Sequence, residues 1–147
     1  MIALDTNILI HADREEMPLH QRALAVVHEL AEGREAWALP IFCVGEFLRV
    51  VSHDRVFDPP TPVLEAMATL ESLLASPSAR LLVPGQQYLP LLREMLETSS
   101  SARGNLVFDA QIAALCLEHG ATTLLSEDRD FARFPGISLM TLEKFRT

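Results

Sequence analysis

Ile2-Ala3-Leu4-Asp5-Thr6-Asn7 decides the reading of the fold. An apolar triplet stops at an acid and two small polar residues. That pattern predicts a short strand feeding a helix N-terminus, with Asp5 at the cap position that aspartate favours. The same alternation recurs outward from it. Leu19 to Leu30 has helical period and stops at Gly33, and Ala36-Trp37-Ala38-Leu39 before Pro40 reads as a second strand. Ile41 to Val51 reads as a helix that is apolar almost all round, and His53 to Pro62, with three prolines, as a loop. Val63 to Leu74 is an amphipathic helix, Arg80 to Val83 a third strand, and Tyr88 to Glu97 a helix with Pro90 tolerated in its first turn. Thr98 to Gly104 is small and polar, the signature of a mobile loop. Asn105 to His119 is a helix closed by Gly120, Thr122 to Leu125 a fourth strand, Asp128 to Phe134 one or two helical turns, and Ile137 to Met140 a last short strand. Short strands alternating with helices predict an α/β fold, a parallel sheet with helices on both faces. Sites in such sheets form at the carboxyl ends of strands. Asp5 and the run Ser126-Glu127-Asp128 both fall there.

Composition narrows the classes. A chain of 147 residues suits one domain, residues 1–147, able to bury its own core. With 49% hydrophobic and 22% charged residues, disorder is excluded. Cys43 and Cys116 are too few for a disulfide scaffold or a four-cysteine zinc site, and both sit in apolar helical patterns. Reduced, buried thiols and a cytoplasmic protein are expected. Met1 to Asp5 has no basic region of the signal-peptide kind, and no stretch reaches the ~20 apolar residues of a membrane span. The net charge of −8 argues against a general nucleic-acid binder unless a local arrangement or a bound cation outweighs it. Eleven of the twelve basic residues are arginine, either a matter of composition or a preference for bidentate anion contacts.

The chemistry-bearing residues are acids in apolar settings. The helix Ile41 to Val51 carries Glu46 and, three residues on, Arg49. A helix this apolar is expected to be buried on nearly every side, so these two either form an i,i+3 ion pair or Glu46 faces a polar cavity. In the helix Asn105 to His119, Leu106, Asp109, Ala113 and Cys116 share one face, which sets Asp109 in an apolar stripe. Asn105 reads as an N-cap one turn earlier. Asp5, Asp128 and Asp130 also have the ordinary reading of helix caps. If the acids converge, three or four carboxylates share a pocket that only a counterion makes tolerable. Hard oxygens without His or Cys select Mg²⁺ or Mn²⁺. The five histidines form no ligand spacing, and no phosphate-binding glycine loop or nucleophile elbow is present. Such a site suits phosphodiester hydrolysis.

At these residues the sequence resembles the PIN-domain nucleases, specifically the VapC-type toxins of toxin–antitoxin pairs. The resemblance rests on Asp5-Thr6-Asn7, Gly45-Glu46-Phe47-Leu48-Arg49, Gly104 to Ala110 with Asp109, Ser126-Glu127-Asp128-Arg129-Asp130-Phe131, and the tail Arg133-Phe134-Pro135-Gly136. The loop Arg55 to Pro60 looks like one VapC branch. The resemblance implies a three-layer α/β/α fold with a short central parallel sheet, and a Mg²⁺- or Mn²⁺-dependent endoribonuclease. Asp5 and Asp109 would be the main metal ligands, with Glu46 and Asp128 completing the acidic pocket. Thr6, Asn7 and Ser126 would orient carboxylates or water, Asn105 would position Asp109 or the substrate, and Asp130 would cap or support. Arg49, Arg103 and Arg129 would meet substrate phosphates. The partners implied are RNA, a cognate antitoxin and a second copy in a homodimer, with the helix Val63 to Leu74 as a contact surface. The alternatives are a PIN nuclease of RNA processing without an antitoxin, and an inactive PIN-fold binding module.

Overall fold

Five parallel strands carry the molecule, and their order explains where a site can form. The structure is a computed structural model and describes residues 1–99 and 103–146. The strands β1 (Ile2–Leu4), β2 (Trp37–Pro40), β3 (Ala79–Leu82), β4 (Thr123–Leu125) and β5 (Ser138–Met140) lie side by side in the order β3-β2-β1-β4-β5. Every adjacent pair is parallel. The chain first builds outward from β1 through β2 to β3, then returns to the far side of β1 with β4. The order therefore reverses between β1 and β4, the point where open α/β sheets leave a crevice at their carboxyl ends. Leu4 is in register with Leu125 there, and the Asp5 N–H donates to the Leu125 carbonyl at 3.0 Å.

The central strands β1, β2 and β4 form the apolar heart of the sheet: Ala3, Leu4, Trp37, Ala38, Leu39, Leu124 and Leu125 are all shut off from solvent. Such unbroken apolar runs are typical of parallel strands covered on both faces. Helices α1 (Thr6–Asp13), α2 (His20–Glu32), α3 (Ile41–Val51) and α4 (Val63–Leu74) pack in series, α1 on α2 and α3, and α3 on α4. Helices α5 (Tyr88–Thr98) and α6 (Asn105–Glu118) form a second pair. The result is the expected three-layer α/β/α arrangement. Short 3₁₀ turns at Arg129–Arg133 and Leu142–Lys144 flank β5. Residues 100–102, within the loop expected to be mobile, lie outside the described residues. Among the described residues no helix is long and apolar enough to cross a membrane. Cys43 and Cys116 are free and buried, as their apolar settings predict.

Two expectations change. Helix α3 is not enclosed on nearly every side: Cys43, Phe47 and Val51 form its buried stripe, whereas Gly45 and Arg49 are exposed. Its apolar surplus is half-covered, because α1 and α4 hold one side while the other borders an open cavity. Helix α6 starts at Gly104, whose φ of 59° is a conformation that glycine adopts without strain. Asn105 is thus the first helical residue rather than the cap, and Gly104 has no side chain to offer one.

The far end of α6 is tied to the opening of α5. The largely buried Glu118 carboxylate accepts from the N–H groups of Gly85 and Gln87, both at 2.8 Å, and His119 Nε2 meets the Val83 carbonyl at 2.7 Å. Hydrogen bonds to a charged group are each worth about 1.5–3 kcal/mol. Glu118→Ala is expected to lower stability in urea by about 2 kcal/mol. It should leave the response of the acidic cavity to cations unchanged, because that cavity lies at the other end of α6.

Candidate metal centre

The sheet delivers its acids to one place. Asp5 follows β1 and is 5% exposed. It caps α1, its Oδ1 accepting from the Thr6 N–H at 2.8 Å. Its Oδ2 accepts from Ser126 Oγ at 2.7 Å and from Asn7 Nδ2 at 3.2 Å. Ser126 follows β4 and is fully buried; its oxygen also accepts from Asn7 Nδ2 at 3.1 Å and from the Asp128 N–H at 3.0 Å. Asn7 Oδ1 takes the Glu127 N–H at 3.3 Å. The ends of β1 and β4 are therefore locked by side chains as well as by the ladder. The Thr6 hydroxyl, by contrast, is buried without a hydrogen-bond partner among the described residues.

Above this corner opens a cavity of about 720 Å³ lined by Glu46 and Arg49 of α3, by Asn105, Phe108 and Asp109 of α6, and by Asp128 and Asp130. Carboxylate oxygens of Asp109, Asp128 and Asp130 lie within 4.8 Å of one another. Asp128 and Asp130 come from the turn that leaves β4, where Asp128 Oδ1 also caps the 3₁₀ turn by accepting from the Asp130 N–H at 2.9 Å. Capping and clustering are thus not alternatives for Asp5 or Asp128, since each is placed by the backbone it caps.

The electrostatics follow from the crowding. Burial pushes the Asp109 carboxyl up to about 7, and the neighbouring Asp128, Asp5, Asp130 and Glu46 add to the rise. Burial likewise raises Asp5 to about 6, against the lowering effect of the Ser126 and Thr6 hydrogen bonds. Crowded carboxylate oxygens whose ionisation is opposed at Asp109 and Asp5 fit a hard divalent cation, which would favour the ionised forms. The donor set is carboxylate alone, the chemistry that hard cations favour over zinc.

The sequence-derived residues divide clearly. Glu46, Asp109, Asp128, Asp130, Asn105 and Arg49 line the cavity; Asp5 with Thr6, Asn7 and Ser126 forms its supporting corner. Asp130 stands closer to the acids than a supporting role requires, and Arg133 Nε approaches its Oδ1 at 3.6 Å. Among the described residues Glu46 and Arg49 make no ion pair; both line the cavity. Arg103 and Arg129 are exposed and do not line it. Sequence reasoning missed Phe42, Phe108 and Gln111 on its walls. The i,i+3 spacing of Asn105 and Phe108 was the available signal for Phe108.

The PIN domain family model matches residues 2–137. Ribonuclease VapC43 of Mycobacterium tuberculosis (strain ATCC 25618 / H37Rv) is 38% identical over 134 residues, which span 91% of this chain and 90% of the relative. Ribonuclease VapC31 of the same strain is 34% identical over 137 residues, 93% of this chain and 95% of the relative. The fold is also that of VapBC2 from Rickettsia felis bound to a DNA fragment from their promoter, with a TM-score of 0.67 at 20% identity, covering 96% of this chain and 98% of that one.

The raised Asp109 carboxyl sets a sign for stability. Its ionisation is opposed only in the folded state, so the penalty is absent below about pH 4. It grows as pH rises and is complete above about pH 7. Without divalent ions, Asp109→Asn should melt with the wild type at pH 4 and a few degrees above it at pH 8. Millimolar Mg²⁺ or Mn²⁺ should raise the wild-type midpoint at pH 8 and move the variant far less. A wild-type midpoint indifferent to both ions would show that the acids hold no cation.

Proposed function

The chain belongs to the PIN domain family, and from that premise we propose that it is a Mg²⁺- or Mn²⁺-dependent endoribonuclease, the toxin of a toxin–antitoxin pair. The observation that carries the reading is the convergence of Glu46, Asp109, Asp128 and Asp130 on one open cavity above Asp5, at the reversal point of the sheet. The VapC ribonucleases named above, matched over nine-tenths of their length, support the same activity.

Asp109, Asp128 and Asp130 would hold the cation at the cavity, with Asp5 beneath and Glu46 facing them from α3. When bound, the cation supplies charge neutralisation at the scissile phosphate and activation of a water. The chain's own residues do the rest. Ser126, Asn7 and the Thr6 N–H fix the Asp5 carboxylate, so it needs no reorganisation when charge develops. Arg49, exposed on the cavity wall without a carboxylate partner, binds a substrate phosphate. Asn105 on the rim offers amide donors to the substrate beside Asp109.

The partners follow the same reading. An antitoxin and a second copy of the chain are proposed to use α4 and the loop before it. Val56, Val63, Leu64 and Met67 are exposed there, from 37% at Met67 to 80% at Leu64. Contiguous exposed apolar residues of this kind are the usual mark of a protein contact. The cytoplasm is the proposed location, where such RNA and partners are found.

Purified protein incubated with total RNA should cut it only when Mg²⁺ or Mn²⁺ is present, and Asp109→Asn prepared in parallel should lose the cleavage. Equal cutting by both would assign the activity to a contaminant and overturn the reading. Arg49→Ala should weaken RNA binding and reduce the salt slope by about 0.7, the value of one lost single-strand phosphate contact. An unchanged slope would remove Arg49 from the substrate path.

A further inference from the structure

Phe108 places a largely exposed aromatic ring on the wall of the acidic cavity. It occupies the first turn of α6, immediately before Asp109, and is 60% exposed. Among the described residues it is the one exposed large hydrophobic side chain that lines the acidic cavity. The others lie elsewhere, as on α4 and β3. The second aromatic ring on the cavity wall, Phe42, is already engaged: it packs against Tyr88 with ring centroids 5.7 Å apart and an interplanar angle of 44°. Phe108 makes no such pair among the described residues. Asn105, Phe108 and Ile112 follow one another at i, i+3 and i+7, so they form a stripe on α6, with Asp109 alongside it. This wall of the cavity thus presents an amide, an open aromatic face and an aliphatic floor, next to the acids and across from Arg49.

We propose that Phe108 is a stacking platform for an unpaired nucleobase next to the scissile phosphate. The inference rests on the nuclease reading above and adds a residue that contacts the substrate's base. A phosphate held at the acids and Arg49 carries its neighbouring base toward the α6 wall. An aromatic face accepts any base, because every base has a π-face. In an A-form duplex the bases are stacked on one another and their faces are closed to a side chain, so only a loop, a bulge or an end can meet Phe108. Asn105, one turn away on the same stripe, then faces the edge of that base.

The test uses the full-length protein with Mn²⁺ and short RNA oligonucleotides carrying 2-aminopurine, offered single-stranded or annealed to their complement. Binding is followed by stopped-flow fluorescence before any cleavage occurs. Wild type should bind the single strand, quench the 2-aminopurine by stacking, and discriminate against the duplex. Phe108→Ala and Phe108→Leu should bind the single strand roughly tenfold or more weakly and lose the quench, while Phe108→Trp restores both. Melting midpoints should agree across the series, because the ring buries little. Quenching and affinity unchanged in Phe108→Ala would overturn the stacking platform alone. Failure of wild-type protein to bind any RNA would overturn the nuclease reading and this inference with it. Unchanged RNA binding with altered self-association of Phe108→Ala, measured by sedimentation, would make the ring a protein contact and also overturn the proposal.

Discussion

The Ser126 hydroxyl is the joint on which the acidic end of the sheet depends. Its one proton goes to Asp5, and its lone pairs take the Asn7 amide and the Asp128 N–H. That uses the whole hydrogen-bonding capacity of the group. Through this one buried atom the end of β1, the start of α1 and the exit from β4 are held at fixed separations. Loss of the hydroxyl would leave a buried carboxyl with one donor fewer and a backbone N–H unpaired, and each costs more than an average hydrogen bond contributes. The geometry of the cavity is therefore set below it, by a corner that is closed to solvent.

That corner carries a load. Burial raises both Asp5 and Asp109, and three further carboxylates, Glu46, Asp128 and Asp130, add to the crowding. The strain is offset where the same acids cap backbone: Asp5 caps α1 and Asp128 caps the following 3₁₀ turn. A side chain fixed as a cap cannot swing away from its neighbours to relieve repulsion. Capping thus holds these two acids in place, and the repulsion that remains would favour a cation in the proposed reading.

Much of this is legible in the sequence because strand ends and caps leave local marks. The bounds of α3 and α4 follow directly from Pro40 and Pro62, which close the preceding segments. The strand expected at Arg80 to Val83 is found one residue earlier, at Ala79–Leu82. As an edge strand it leaves Leu81 44% exposed, so its apolar pattern does not reveal its register. The enclosure expected of α3 fails for a related reason: composition counts apolar residues but does not say which face meets a partner element. The Asn105 cap fails because Gly104, one residue earlier, already provides the backbone conformation that starts the helix. The company of Asp130 with Asp109 is a tertiary fact, created by the return of β4 beside β1. No local periodicity encodes it.

The distribution of arginine settles how an acidic protein can meet a polyanion. Several arginines are occupied within the fold. Arg14 holds the Pro59 carbonyl and Thr61 and lies over the Phe57 ring, while Arg22 takes the carbonyls of Leu142 and Phe145. Arg80 is turned onto the carbonyls of Pro77 and Ala79, and Arg93 onto Glu97. These four arginines are thus engaged within the fold, and among the described residues only Arg49 lines the cavity. A basic patch is not the source of attraction. In the nuclease reading the cation must supply it, one Arg must guide the backbone, and selectivity must arise from the shape and the aromatic wall of the cavity rather than from charge. That division makes substrate engagement conditional on the cation and keeps the acidic surface repulsive to nucleic acid everywhere else.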